Sequence, residues 1–202
     1  MEVGVLYSGG KDSTLAALCL ERFADVTALC CSFGVTDDHE HAQDAARAVG
    51  VPARRVSLDV DVAHEAADRM VEDGFPRNGI QHVHEHALEA CADLDYDAVA
   101  DGTRRDDRVP TVPRSLAQSL EDRHGISHLA PLAGFGREAI DRLATAELIV
   151  ESGPSERMQK GDYEAELRTL IANEYSQETV SEVFPEHVQS RVTGRQDGGS
   201  DA

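Results

Sequence analysis

Between an apolar run from Glu2 to Tyr7 and a helical pattern from Asp12 to about Ala24 lies the turn Ser8-Gly9-Gly10-Lys11-Asp12-Ser13. Two glycines let the backbone fold tightly and present its N–H groups, the helix start adds the positive end of its dipole, and Lys11 adds a full charge. That combination is a phosphate cradle. The spacing is not the Walker form, which needs four residues between its first glycine and Gly-Lys-Ser/Thr, nor is it G-x-G-x-x-G.

The remainder of the chain repeats the strand-then-helix alternation. The apolar run Val26 to Phe33 reads as a buried parallel strand, and Ala53 to Leu58, Asp97 to Ala100 and Ser127 to Leu129 as further short strands. Between them, helical patterns cover Asp38 to Val49, Asp61 to Asp73, about Gln81 to Asp93 and Ser115 to Arg123, and Phe75 to Gly79 reads as a loop. Arg137 to Leu143 is a further helix. The expected fold is therefore α/β, a doubly wound, mostly parallel five-stranded sheet with a C-terminal helical extension. Residues 1–150 form the main domain in this reading, 151–193 the extension, with Tyr163 to Tyr175 its clearest helix, and 194–202 a disordered tail. Ligands of such sheets sit at the carboxyl ends of strands, which selects Ser8 to Ser13 and Asp101 to Asp107.

Charge narrows the partners. The 202 residues carry 38 acidic against 19 basic side chains, a formal charge of −19, and Lys11 and Lys160 are the only lysines. A surface dense in carboxylates and purged of lysine stays hydrated where molar salt screens its self-repulsion. The expectation is a cytoplasmic protein of an extreme halophile, and a poor general binder of polyanions. No apolar stretch approaches the roughly 20 residues needed to span a bilayer, and MEVGVLYS does not resemble a secretion signal. The four cysteines, Cys19, Cys30, Cys31 and Cys91, lack a C-x-x-C pair and are expected to be reduced.

The turn resembles the S-G-G-x-D-S signature of the PP-loop (N-type) ATP pyrophosphatases, with Ser8, Gly9, Gly10, Asp12 and Ser13 all matching. Asp101-Gly102-Thr103-Arg104-Arg105-Asp106-Asp107-Arg108 is similar to a G-T/S-x-x-D-D segment that follows the fourth strand in that superfamily, and Pro131-Leu132 with Arg137 to Ile140 is similar to the stretch after it. The resemblance covers about residues 1–150 and implies an adenine nucleotide alpha-hydrolase-like fold. It also implies cleavage of ATP to AMP and pyrophosphate, AMP being joined to a carbonyl or carboxylate oxygen that a nucleophile then attacks.

By resemblance, Ser8, Gly9, Gly10 and Ser13 cradle the β- and γ-phosphates, Lys11 neutralises charge, and Asp12 helps hold Mg²⁺. Gly102 and Thr103 contact phosphate, Asp106 and Asp107 are candidates for Mg²⁺, and Ser32 and Phe33 lie where adenine and ribose are held. Lys160, one of only two lysines, is assigned to closing over phosphates. Arg104, Arg105, Arg108 and Arg114 are the one basic concentration and suit ATP phosphates or an anionic substrate. His82, His84 and His86 read as solvent-facing, since only His82 and His86 share a helix face and no third metal ligand is evident. The substrate is a small molecule or tRNA, and a homodimer is compatible with this reading. Three functions stay open: a ligase using a nitrogen nucleophile, a sulfur transferase acting on tRNA or a small metabolite, and a nucleotide-binding regulatory protein.

Overall fold

The computed structural model describes residues 1–155 and 157–196. Its central strand, β1 (Glu2–Leu6), is buried on both faces, as its unbroken apolar run requires. Chain order continues through α1 (Lys11–Leu20), β2 (Asp25–Ser32), α2 (His39–Ala48), β3 (Ala53–Ser57), α3 (Val60–Asp73), α4 (Arg77–Ala92), β4 (Ala98–Ala100), α5 (Arg114–His124) and β5 (Ser127–Leu129). The five strands pair in parallel in the order β3-β2-β1-β4-β5, with Val3 opposite Val26 on one side and Ala98 on the other. The chain turns from β1 to β2 in one direction and later returns to β4 in the other. A crevice opens where that order reverses, above the carboxyl ends of β1 and β4.

Apolar side chains fill the space on each face of this sheet. Leu6, Leu29 and Val99 pack with Met70, Val83 and Leu88 of α3 and α4. Val3, Val5 and Ala28 pack with Leu15 and Leu20 of α1 and the alanines of α2. Fully burying a residue such as Leu29 or Met70 contributes about 1.5–3 kcal/mol relative to exposure. Among the described residues, no helix is long and apolar enough to cross a membrane.

Two sequence expectations change. The segment 75–79 is not a separate loop, because α4 begins at Arg77. Gly79 is helical and faces α3 so closely that a Cβ there would lie 2.7 Å from the Ala66 carbonyl oxygen; the glycine permits helix contact instead of marking a turn.

The C-terminal part is also more than helical. After α6 (Arg137–Glu147) come β6 (Leu148–Pro154), α7 (Tyr163–Glu174), α8 (Gln177–Val183) and β7 (Val188–Arg195), with β6 and β7 forming an antiparallel ribbon. Gly194 and Arg195, expected in a tail, are part of β7. Arg195 is held by two bonds to the Glu21 carboxylate, 2.7 and 2.8 Å, and donates to the Val49 carbonyl oxygen at 2.6 Å. Residues 197–202 of that expected tail lie outside the described residues.

Candidate active site

The phosphate loop forms as a strand, turn and helix. Gly9 adopts a φ of 78°, and a Cβ there would meet Ala45 and Ala42 of α2 at 3.1 and 3.2 Å, so glycine serves both conformation and packing. Ser13 and Thr14 hydroxyls donate to the Gly10 carbonyl oxygen at 3.2 and 2.8 Å, fixing the turn against the first helical residues. The opening amides of α1 have no acceptor within the helix and carry its positive dipole end. Gly102, just past β4, crosses this point, and a Cβ on it would lie 2.9 Å from the Asp12 carbonyl carbon. The two segments selected from the sequence are thus in contact.

Above them lies a cleft of about 1080 Å³, lined by Ser8, Gly10 to Ser13, Asp101 to Arg104, Asp107 and Lys160 to Glu164. The C-terminal part closes it. Gly161 N–H donates to the Ser8 carbonyl oxygen at 3.3 Å, and Val192 N–H to that of Gly9 at 2.9 Å. Phe184, Val188 and Ser190 form the far wall.

Cations gather here. Lys11 Nζ is 3.3 Å from Asp12 and 3.5 Å from Asp141. Arg104 is largely buried, donates through Nε to Asp107 at 3.0 Å and stands 3.6 Å from Asp12, while its Nη1 is buried without a hydrogen-bond partner. Burial works against its charge, but the Asp107, Asp12 and Asp106 carboxylates outweigh that and raise its pKa. Lys160 is 5% exposed; its Nζ lies 3.4 Å from Asp162 and from Glu164 but makes no hydrogen bond. Burial raises the Asp162 carboxyl above the ordinary range in spite of Lys160. Glu164, held by Arg168 at 2.7 Å and Gln189 at 2.9 Å, stays below it although burial opposes this.

The expected carboxylate cluster is arranged otherwise. Asp106 lies outside the cleft wall and accepts the Arg137 N–H at 2.9 Å, which caps α6 and, as the largest cause, lowers its pKa. Asp107 is engaged by the Arg104 side chain and by the Arg104 N–H at 2.7 Å. Among the described residues, no group of three His, Cys, Asp or Glu side chains is placed to hold a metal ion. Asp12 is the carboxylate that remains, lining the cleft with Oδ1 buried and free of hydrogen bonds. Thr103 lines the cleft with its N–H on Asp101 at 2.7 Å, while Arg105 and Arg108 form no ion pair among the described residues. Arg114 pairs with Glu121 at 2.8 Å.

Ser32 and Phe33 do not line the cleft. Glu166 of α7 covers the end of β2, accepting from Ser32 Oγ at 3.1 Å, Phe33 N–H at 3.0 Å and Val35 N–H at 3.0 Å. The donors expected to face a nucleotide are occupied by a carboxylate of the same chain.

Three further arrangements have no counterpart in the sequence reading. Cys31 and Cys91, sixty residues apart, bring their Sγ atoms to 3.6 Å, with Cys31 on the cleft wall. The Cys91 contact and burial push the Cys31 thiol well above its ordinary pKa. Asp101, 1% exposed, accepts from His128 Nε2 at 2.8 Å. His84 is not solvent-facing but 5% exposed and lines the cleft beside Tyr163, ring centroids 6.3 Å apart. A signal for it existed: Ile80, His84, Ala87, Leu88 and Cys91 follow one helical stripe.

The chain resembles, at 40% identity over 195 residues and 96% of both chains, the uncharacterized protein MJ0690 of Methanocaldococcus jannaschii. A crystal structure described as a predicted subunit of tRNA methyltransferase from Methanocaldococcus jannaschii superposes with a TM-score of 0.88 at 38% identity, covering 98% of each chain. The U34-tRNA thiolase NcsA from Methanococcus maripaludis, with its [4Fe-4S] cluster, aligns with a TM-score of 0.46 at 17% identity over 72% of this chain and 56% of that one. Residues 1–194 match DUF7411, a family of unknown function, and the chain belongs to that family.

Proposed function

We propose that the cleft binds ATP and splits it between the α- and β-phosphates, joining AMP to a carbonyl or carboxylate oxygen of a second substrate and releasing pyrophosphate. A nucleophile then displaces AMP. The observation that carries this reading is the convergence, in one cleft, of the Ser8 to Ser13 loop at a helix start with two buried cationic groups, Arg104 Nη1 and Lys160 Nζ, that lack hydrogen-bond partners. Buried cations so placed are suited to a polyanion. Loop amides and Lys11 hold the β- and γ-phosphates as one leaving unit, Arg104 and Lys160 meet the charge that develops on it, and Thr103 orients the nucleotide.

Mg²⁺, a hard cation that takes oxygen ligands, would be held by Asp12, whose Oδ1 is buried without a hydrogen-bond partner, while Asp107 is engaged by Arg104. When bound, it neutralises phosphate charge. Asp106 is left out of this set because it caps α6.

The second substrate is first sought among tRNAs, because a relative of 38% identity is described as a predicted tRNA methyltransferase subunit. Arg105 and Arg108, unpaired among the described residues, are cations for such a substrate. A nitrogen nucleophile is the main reading. Sulfur is the second, favoured by the Cys31–Cys91 contact, although the raised Cys31 thiol disfavours the thiolate such chemistry uses. The cellular setting we infer is the cytoplasm of a halophile.

The test supplies labelled ATP, Mg²⁺, unfractionated tRNA and, in parallel, ammonium or sulfide as the nucleophile in molar salt. Label at the α-phosphate should appear in AMP and label at the γ-phosphate in pyrophosphate, and Lys11→Ala should abolish both. Release of ADP and orthophosphate would refute the reading, and Cys31→Ala separates the two nucleophiles.

A further inference from the structure

One imidazole lines the cleft that the phosphate loop also lines, and its side chain has no hydrogen-bond partner among the described residues. His84 is 5% exposed and takes part in no side-chain hydrogen bond among the described residues, and its Nε2 is buried without a partner. A buried polar group left in that state calls for a ligand or a role in chemistry. Its surroundings are more ordered than its own bonding. Asp101 is held on one oxygen by the Thr103 N–H at 2.7 Å and on the other by His128 Nε2 at 2.8 Å. Gly102 then carries the chain directly across Asp12 and Ser13. His84, Asp101, Thr103 and the phosphate loop therefore line the same cleft.

We propose that His84 is the proton acceptor for the nucleophile that displaces AMP. The inference rests on the adenylation reading given above. In the displacement, the N–H proton of the attacking group, or the S–H proton in the sulfur reading, passes to the unprotonated ring nitrogen of His84. The electron pair of the broken bond stays on the nucleophile, which bonds to the carbon bearing the adenylated oxygen. The bond from that carbon to the AMP oxygen breaks and its pair leaves with AMP. The imidazolium so formed is compensated by the Asp101 carboxylate, which His128 and Thr103 fix in place.

Two properties suit a base. Burial, the largest cause, lowers the His84 pKa below its ordinary value. Asp101 and Glu85 oppose this, His128 reinforces it, and the uncharged Tyr163 ring lies alongside. The ring is thus neutral near pH 7. Asp101 itself is held below the usual carboxylate range, because the His128 and Thr103 bonds and the nearby His84 outweigh its burial, so it stays ionised.

The test compares half-reactions in the whole chain. With ATP, Mg²⁺, unfractionated tRNA and ammonium chloride as the nitrogen nucleophile, His84→Gln should keep ATP–pyrophosphate exchange within about threefold while lowering steady-state AMP release about 100-fold. Added imidazole should restore part of the release. In the unaltered protein, AMP release should rise with pH along a limb set by one group titrating below the ordinary histidine value, a measurement that does not depend on the variant folding. Equal loss of exchange and release in His84→Gln, or a release that is flat with pH in the unaltered protein, overturns the proposal. If the unaltered protein forms no AMP, the adenylation reading itself has failed, and the assignment to His84 falls with it.

Discussion

Glu166 accepts the backbone N–H of Phe33 at 3.0 Å, a bond that ties α7 to the end of β2 across 133 residues of sequence. The same carboxylate takes Ser32 Oγ and the Val35 N–H. Without it, three donors at a buried strand end would lack an acceptor, and each such loss costs about 1–3 kcal/mol. The helix brings Leu167, Leu170 and Ile171 into the core beneath, so the bonds and the apolar packing hold the same element.

Glu166→Ala is accordingly expected to destabilise the protein by about 3 kcal/mol, which for a chain of this size lowers Tm by about 6–12 °C. Glu166→Gln should cost less, because one carbonyl oxygen can still accept. Calorimetry in high salt reads both, and an unchanged Tm in Glu166→Ala would reject the role.

What the sequence disclosed and what it concealed divide along a physical line. Strands β1 and β2 are readable as apolar runs closed by turn residues, β3 to β5 by their alternation with helical patterns, and the phosphate loop because its chemistry is local to six residues. The ribbon was harder. Val188 to Arg195 includes Ser190, Arg191 and Gly194, and its one alternating signal, Val188-x-Ser190-x-Val192, is weak without the partner strand. Contacts such as Glu166 with Phe33 or Cys31 with Cys91 have no sequence signature at all, since they arise only when distant elements pack. The environment of Asp106 is hidden for the same reason: its neighbour Asp107 pairs with Arg104, while Asp106 accepts the first N–H of a helix that begins thirty-one residues later.

The acid side of the stability curve should carry two steps. In the unfolded chain His84 titrates near the ordinary value of about 6.5, whereas burial lowers it in the folded protein. Between those values the unfolded state binds more protons, so stability falls as pH drops through about 6.5 and levels off below the folded value. Asp101 and Glu164 add a second loss as pH falls below about 4, their folded pKa values also being depressed. Denaturant unfolding of the unaltered protein and of His84→Gln checks this: the first step should vanish in the variant, and its persistence would assign it to another group.

Salt should act on the whole molecule. With 38 acidic and 19 basic side chains, self-repulsion is screened within about 3 Å at molar salt but reaches about 30 Å at 0.01 M. The midpoint of thermal unfolding is therefore expected to fall steadily as salt is removed and to recover when it is restored. The effect should follow ionic strength and not the identity of the added salt alone, which sodium chloride and potassium chloride series can separate. A Tm independent of salt between dilute buffer and 3 M, taken as roughly the span over which screening changes most, would remove the halophile inference.

Lys160 gives the sharpest test of the cleft. Its ammonium stands 3.4 Å from Asp162 and Glu164 without bonding to either, beside Gly161, where a Cβ would lie 2.9 Å from the Asp38 carbonyl oxygen. The segment is packed too closely to follow a ligand far, so the charge must act from where it is. A cation fixed in this way contributes most where negative charge increases, on the departing pyrophosphate, and least to the resting nucleotide. Lys160→Met, which keeps the stem and removes the charge, is expected to lower AMP formation about 100-fold while ATP affinity changes less than about threefold. Because Asp162 and Glu164 then lose a compensating cation, a thermal melt of the variant must accompany the kinetics, and a folded variant gives a clean reading. Equal losses in calorimetric affinity and in turnover would make Lys160 a ground-state phosphate ligand instead.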